Sequence, residues 1–141
     1  MITFKNFLLE TKDEPEVHPR GTLYHAAPKK YHASIMAHGI LPKTGGSTFL
    51  NRRYSKRVYL ATRIEAAWDF TVSVNARRDK PVEYDVYHVD SSKLPNAVFY
   101  RDSYFDDYGI WTSSKIPASA IIDVTEVNHD WEPDDDYYDG K

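Results

Sequence analysis

The chain has 141 residues, 41% of them apolar, with no cysteine and a formal net charge of -3. That size suits one domain with a modest core, and the lack of thiols excludes a disulfide framework and a thiolate zinc site. The slightly acidic balance argues against a duplex-binding module, which needs a basic face, and no apolar run approaches the roughly 20 residues of a membrane span.

In chain order, residues 1–10 space Phe4, Phe7 and Leu8 as a short amphipathic helix would. Pro15, Pro19 and alternating charge make residues 11–20 read as a flexible linker, so the domain is expected over residues 21–127. Thr22 to Ala26 is strand-compatible, and Tyr31 to His38 forms a helical turn or two that Gly39 stops. Lys43 to Ser47 reads as a glycine-containing loop leading into a mobile, arginine-rich stretch from Asn51 to Arg57. Arg57 to Ala61 predicts a strand, and Ile64 to Val74 an amphipathic helix that buries Ala67, Trp68, Phe70 and Val74.

After the turn at Arg77 to Pro81, Val82, Tyr84, Val86 and His88 alternate with Glu83, Asp85 and Tyr87, the period-two signature of a half-buried strand. Ala97 to Tyr100, Gly109 to Thr112 and Ala120 to Val124 are further strands, with Asp102 to Tyr108 as a polar, aromatic loop. Residues 128–141 are acidic, lack an apolar period and are expected to form a flexible tail. Strands outnumber helices and the helices come early, so the expected class is α+β, with small helices packed on a split antiparallel sheet. His18, His25, His32 and His38 match no short ligand spacing, and no metal site is expected.

Three ordered pieces, Leu23-Tyr24-His25, then I-M-A-H-G-I-L-P from Ile35 to Pro42, then Val58-Tyr59-Leu60-Ala61 followed by Ala66-Ala67, resemble the ADP-ribosyltransferase superfamily. Within it the likeness is strongest to the C-terminal, NAD-binding half of the tRNA 2'-phosphotransferases. Val86 to Leu94 and Phe99 to Ile121 carry that likeness, so it covers roughly residues 21–124. The resemblance implies an ADP-ribosyltransferase-like fold and NAD as the substrate whose nicotinamide bond is cleaved. It implies that His25 bonds a ribose hydroxyl, that Tyr59 stacks on nicotinamide, and that Tyr24, His25, Ala26, Arg57 and Tyr59 hold the dinucleotide. Arg57, with Arg52 or Arg53, would pair with the pyrophosphate. The catalytic carboxylate would be Asp107, beside Asp106 and just ahead of the Gly109 to Thr112 strand.

Two departures bear on the reaction. Ala26-Ala27 replaces the usual glycine-hydroxyl pair after the histidine, and Tyr59 stands where the phosphotransferases carry histidine. Removal of an RNA 2'-phosphate is not expected, because residues 1–20 are too few to form the RNA-gripping lobe of those enzymes. The expectation is a monomeric ADP-ribosyltransferase acting on an unknown macromolecule, a protein before a nucleic acid, with no membrane partner. The alternative is a catalytically silent module that binds NAD, ADP-ribose or a host protein. Residues 1–10 also resemble the leaders of internal head proteins of large tailed bacteriophages, which are cleaved after L-x-E, here Leu8-Leu9-Glu10. That likeness implies packaging in a phage head and action in the host cytoplasm.

Overall fold

A computed structural model describes residues 14–47, 52–102 and 108–127 of the chain. The N-terminal leader, Asp106, Asp107 and the acidic tail lie outside the described residues. In chain order the elements are β1 (Glu16–Val17), β2 (Thr22–Pro28), α1 (His32–His38), β3 (Lys43–Ser47), β4 (Arg52–Ala61) and α2 (Ile64–Asn75). They continue with β5 (Tyr84–Asp90), β6 (Phe99–Arg101), β7 (Gly109–Thr112) and β8 (Ile121–Val127). The sheet runs β1-β6-β7-β4-β2-β5-β8, every pairing is antiparallel, and β3 pairs with β4 off this path. The fold is α+β, a large antiparallel sheet carrying small helices.

Alternation along β2 divides the core. Leu23 and Ala27 join a cluster with Ile35 of α1, Val58, Leu60, Tyr87 and Ile116, while Tyr24 and Ala26 pack on the other side with Ala61, Val86 and α2. Helix α2 buries Ala67, Trp68, Thr71 and Val74, which share one face, and leaves Phe70 half-buried at its margin. Its last residue clips the following turn. The Asn75 side chain donates to the Val82 carbonyl at 3.0 Å and accepts from the Val82 amide at 2.9 Å.

The glycine after α1 is dictated by geometry. Gly39 sits at φ 81°, ψ -174°, a region essentially restricted to glycine, and a Cβ there would collide with the Ile116 carbonyl oxygen. The next residue uses this close approach, since Ile40 exchanges two main-chain bonds with Ile116, at 2.8 and 2.9 Å. The G-I pair of the I-M-A-H-G-I-L-P stretch thereby ties α1 to the chain entering β8.

Three elements differ from the sequence reading. Glu16–Val17, inside the proposed linker, pairs with Phe99 and Tyr100, because an edge strand needs only a few unpaired main-chain groups beside it and no apolar period. Lys43–Ser47, read as a loop, pairs with Arg52–Arg57, so the arginine-rich stretch is the outer half of a long hairpin strand. Strand β5 is buried on both faces instead of half-buried: Asp85 is 2% exposed and Tyr87 0%, because α1 and the turn preceding it cover the side that alternation had assigned to solvent. Among the described residues no helix is long and apolar enough to cross a membrane.

Candidate functional site

Strand β2 stays in register with β5 along its whole length, from Thr22–Asp90 to Pro28–Tyr84. Against β4 it makes one pair, Tyr24–Ala61. Strand β4 pairs on its other side with β7, from Val58–Thr112 to Ala61–Gly109. Past Tyr24 the two strands therefore leave the ladder, and main-chain groups along this seam need other partners.

His25 bridges the seam. Its Nδ1 lies 2.6 Å from the Tyr59 carbonyl oxygen, and since a carbonyl only accepts, Nδ1 carries the proton. In the neutral ring Nε2 is then the acceptor, able to take a hydrogen bond from a hydroxyl. The structure thus joins His25 to Tyr59 through the tyrosine main chain. The Tyr59 side chain belongs to the opposite parity on β4, shared with Arg57 and Ala61. Register sets it beside Trp111, which in turn faces Tyr100.

This second row is a charged aromatic plate. Trp111 and Tyr100 stack with ring centroids 4.5 Å apart, and the Arg57 guanidinium carbon stands 3.7 Å from the Trp111 ring centroid. Glu14 reaches the same place from the residues before β1. Its Oε2 lies 3.3 Å from an Arg57 nitrogen and accepts from Trp111 Nε1 at 2.9 Å. Asp102, 3% exposed, lies in the field of both charges. Burial pushes its carboxyl from an ordinary 3.8 up to about 6, Glu14 adds to the rise and Arg57 opposes it.

The other expected contacts are distributed around the seam. Tyr24 turns its ring toward the α2 side, edge-on to His88 at 5.1 Å, and Ala26 points its methyl into the same cluster. Strand β4 carries Arg52 and Arg53 at its far end, in register with Ser47 and Gly46. Arg57 makes its ion pair within the protein, with Glu14. Glu14, Trp111 and Asp102 had no role in the sequence reading. Glu14 sits in linker-like composition, and only strand register reveals that Trp111 and Tyr100 extend the Tyr59 row. Among the described residues no group of three or more histidine, aspartate or glutamate side chains could hold a metal ion.

A second polar cluster begins one ladder pair from His25. Tyr87, in register with His25, has its hydroxyl 3.1 Å from His32 Nδ1, and the same nitrogen is 3.6 Å from Asp85 Oδ2. Burial raises the Asp85 carboxyl and, with Asp85 beside it, pushes the Tyr87 phenol up to about 12. A cleft of ≈ 480 Å³ opens elsewhere, between Val17, His18, Pro19, Thr62, Arg101 and Ile110, and neither His25 nor Tyr59 lines it.

No family model matches the chain. It is similar to a protein described as "Probable RNA 2'-phosphotransferase" from Acaryochloris marina (strain MBIC 11017), with 26% identity over 108 residues. The match covers 75% of this chain and 48% of that protein, so the chain spans about half the length of the curated relative it matches. The sequence similarity agrees with a distant relationship to transferases of that kind.

Proposed function

We propose that the chain binds NAD along the β2–β4 seam, breaks the bond between nicotinamide and ribose, and transfers ADP-ribose to a macromolecular acceptor. The observation that carries this reading is the His25 imidazole seated on the Tyr59 carbonyl where the strands part. The tautomer fixed by that bond makes Nε2 the acceptor nitrogen of the neutral ring, beside the place where β2 and β4 part. The distant likeness to an RNA 2'-phosphotransferase supports a transferase that uses NAD.

As the bond lengthens, its electron pair leaves with the nicotinamide nitrogen and positive charge grows at the ribose carbon, as in glycoside cleavage. His25 Nε2 orients a ribose hydroxyl, and Tyr59 supplies an aromatic face to the departing ring. The acceptor nucleophile then bonds to that carbon and releases its proton. Asp107 is the assigned carboxylate for the ribose or the acceptor, while Tyr24 and Ala26 lend the main chain that borders the pocket. The leader resemblance of residues 1–10 supports a phage protein whose acceptor is in the host cell.

Chromatography of nicotinamide released from NAD, with water or host lysate supplying the acceptor, tests the reading. His25→Ala and Tyr59→Ala should each lower release by about 100-fold. Absence of release by the unmodified protein under every acceptor condition would overturn catalysis. A silent binding module is the second reading. It is favoured by the engagement of Glu14 with Arg57 and Trp111, which commits one of the two carboxylates beside the Tyr59 row to a contact inside the protein.

A further inference from the structure

The Arg57 plate is built like the receptor for an anion. Two donors from different strands, the Arg57 guanidinium and the Trp111 indole N–H, converge on a single oxygen, Glu14 Oε2, at 3.3 and 2.9 Å. The guanidinium rests on the Trp111 ring, and Tyr100 backs that ring from the neighbouring strand. The side chains are nearly enclosed, Arg57 being 11% and Glu14 15% exposed. A flat, supported guanidinium with a second donor beside it matches the geometry by which phosphate oxygens are bound.

The anion in place belongs to a short edge piece of the chain, whose Val17 is partly buried against the core. Strand β1 makes two register pairs with β6, and the Arg101 amide adds a bond to the Pro15 carbonyl at 2.9 Å. After burial, the Glu14 charge also raises the Asp102 carboxyl, so the two carboxylates repel. Expelling Glu14 relieves that repulsion.

We propose that Arg57 and Trp111 form a diphosphate seat which Glu14 occupies in the free protein, so that the Glu14-Pro15 stretch is a displaceable, self-inhibiting strap. The inference rests on the NAD reading above and adds a gate to it. Adjacency supports the choice of a diphosphate: Arg57 shares its strand and side-chain parity with Tyr59, whose carbonyl holds His25, so a ligand on that seat lies next to the seam. Its affinity is set by the fraction of molecules with the strap released.

Calorimetry with ADP-ribose on the full chain and on Glu14→Gln tests this, with adenosine as the phosphate-free control. If the strap is closed in nine molecules of ten, Glu14→Gln should bind ADP-ribose about tenfold more tightly, with adenosine unaffected. Hydrogen exchange of the unmodified protein gives a second readout, because the Arg101 amide loses its Pro15 partner when the strap leaves and should exchange faster on addition of ADP-ribose. Equal or weaker binding by Glu14→Gln, together with an Arg101 amide that ADP-ribose leaves unchanged or protects, overturns the gate while leaving the NAD reading intact. Failure of both proteins to bind ADP-ribose overturns the two readings together.

Discussion

The His25 imidazole donates from Nδ1 to the Tyr59 carbonyl at 2.6 Å, across strands that share one ladder pair. This side chain does the work of a missing main-chain bond and is held by it in one tautomer. His25→Ala should therefore cost about 1–2 kcal/mol of stability, because the carbonyl at the seam loses its donor, besides its effect on nicotinamide release. Urea unfolding of the variant beside the unmodified protein measures the first effect, and unchanged stability would mean that the bond contributes nothing to the seam.

Gly39→Ala should be among the most damaging single-methyl additions in this chain. The new Cβ meets the Ile116 carbonyl oxygen, and the backbone conformation is one that alanine disfavours. A loss of about 2 kcal/mol or more is expected, read as a fall in thermal midpoint. Gly21→Ala serves as the control, since it has positive φ but no heavy atom near the added carbon, and it should lose less.

Asp102 should make stability depend on pH. Its folded-state value, about 6, lies above the ordinary 3.8, so its contribution is complete below pH 3.8 and is lost as pH rises through about 6. Asp102→Asn removes the ionisation. The variant should gain on the order of 2 kcal/mol relative to the unmodified protein at pH 8 compared with pH 4. Urea midpoints of both proteins across that range give the difference, and a flat difference would contradict the assignment.

Asn75→Ala removes both bonds by which the end of α2 holds Val82. The expected cost is about 1–2 kcal/mol, with faster hydrogen exchange at the Val82 amide and little change at the Tyr59 amide. Equal acceleration at both positions would show that the clip is coupled to the seam.

Short-range signals were legible in the sequence. Gly109–Thr112 was read with the strand limits that the structure shows, and the Ala67, Trp68, Val74 face of α2 followed from helical period. Gly39 marked the end of α1 because one backbone conformation excludes other residues. Strand register was not legible. Nothing local indicates that Glu14 reaches Arg57, since they meet only when β1 and β6 pair at the far edge of the sheet. Nor does the alternation of β5 reveal that Asp85 and Tyr87 are buried, because their cover comes from α1.

The sequence by itself determined the types of β2, α1, α2, β5, β6, β7 and β8, the α+β class and the pieces surrounding His25 and Tyr59, because propensity, period and glycine geometry act within a few residues. Tertiary structure alone decided that β2 and β4 part after one pair, that His25 reaches the Tyr59 main chain while register sets Tyr59 opposite Trp111, and that Glu14 holds Arg57. Those relationships depend on pairing between distant strands, and pairing energy is settled by the whole sheet rather than by any one segment.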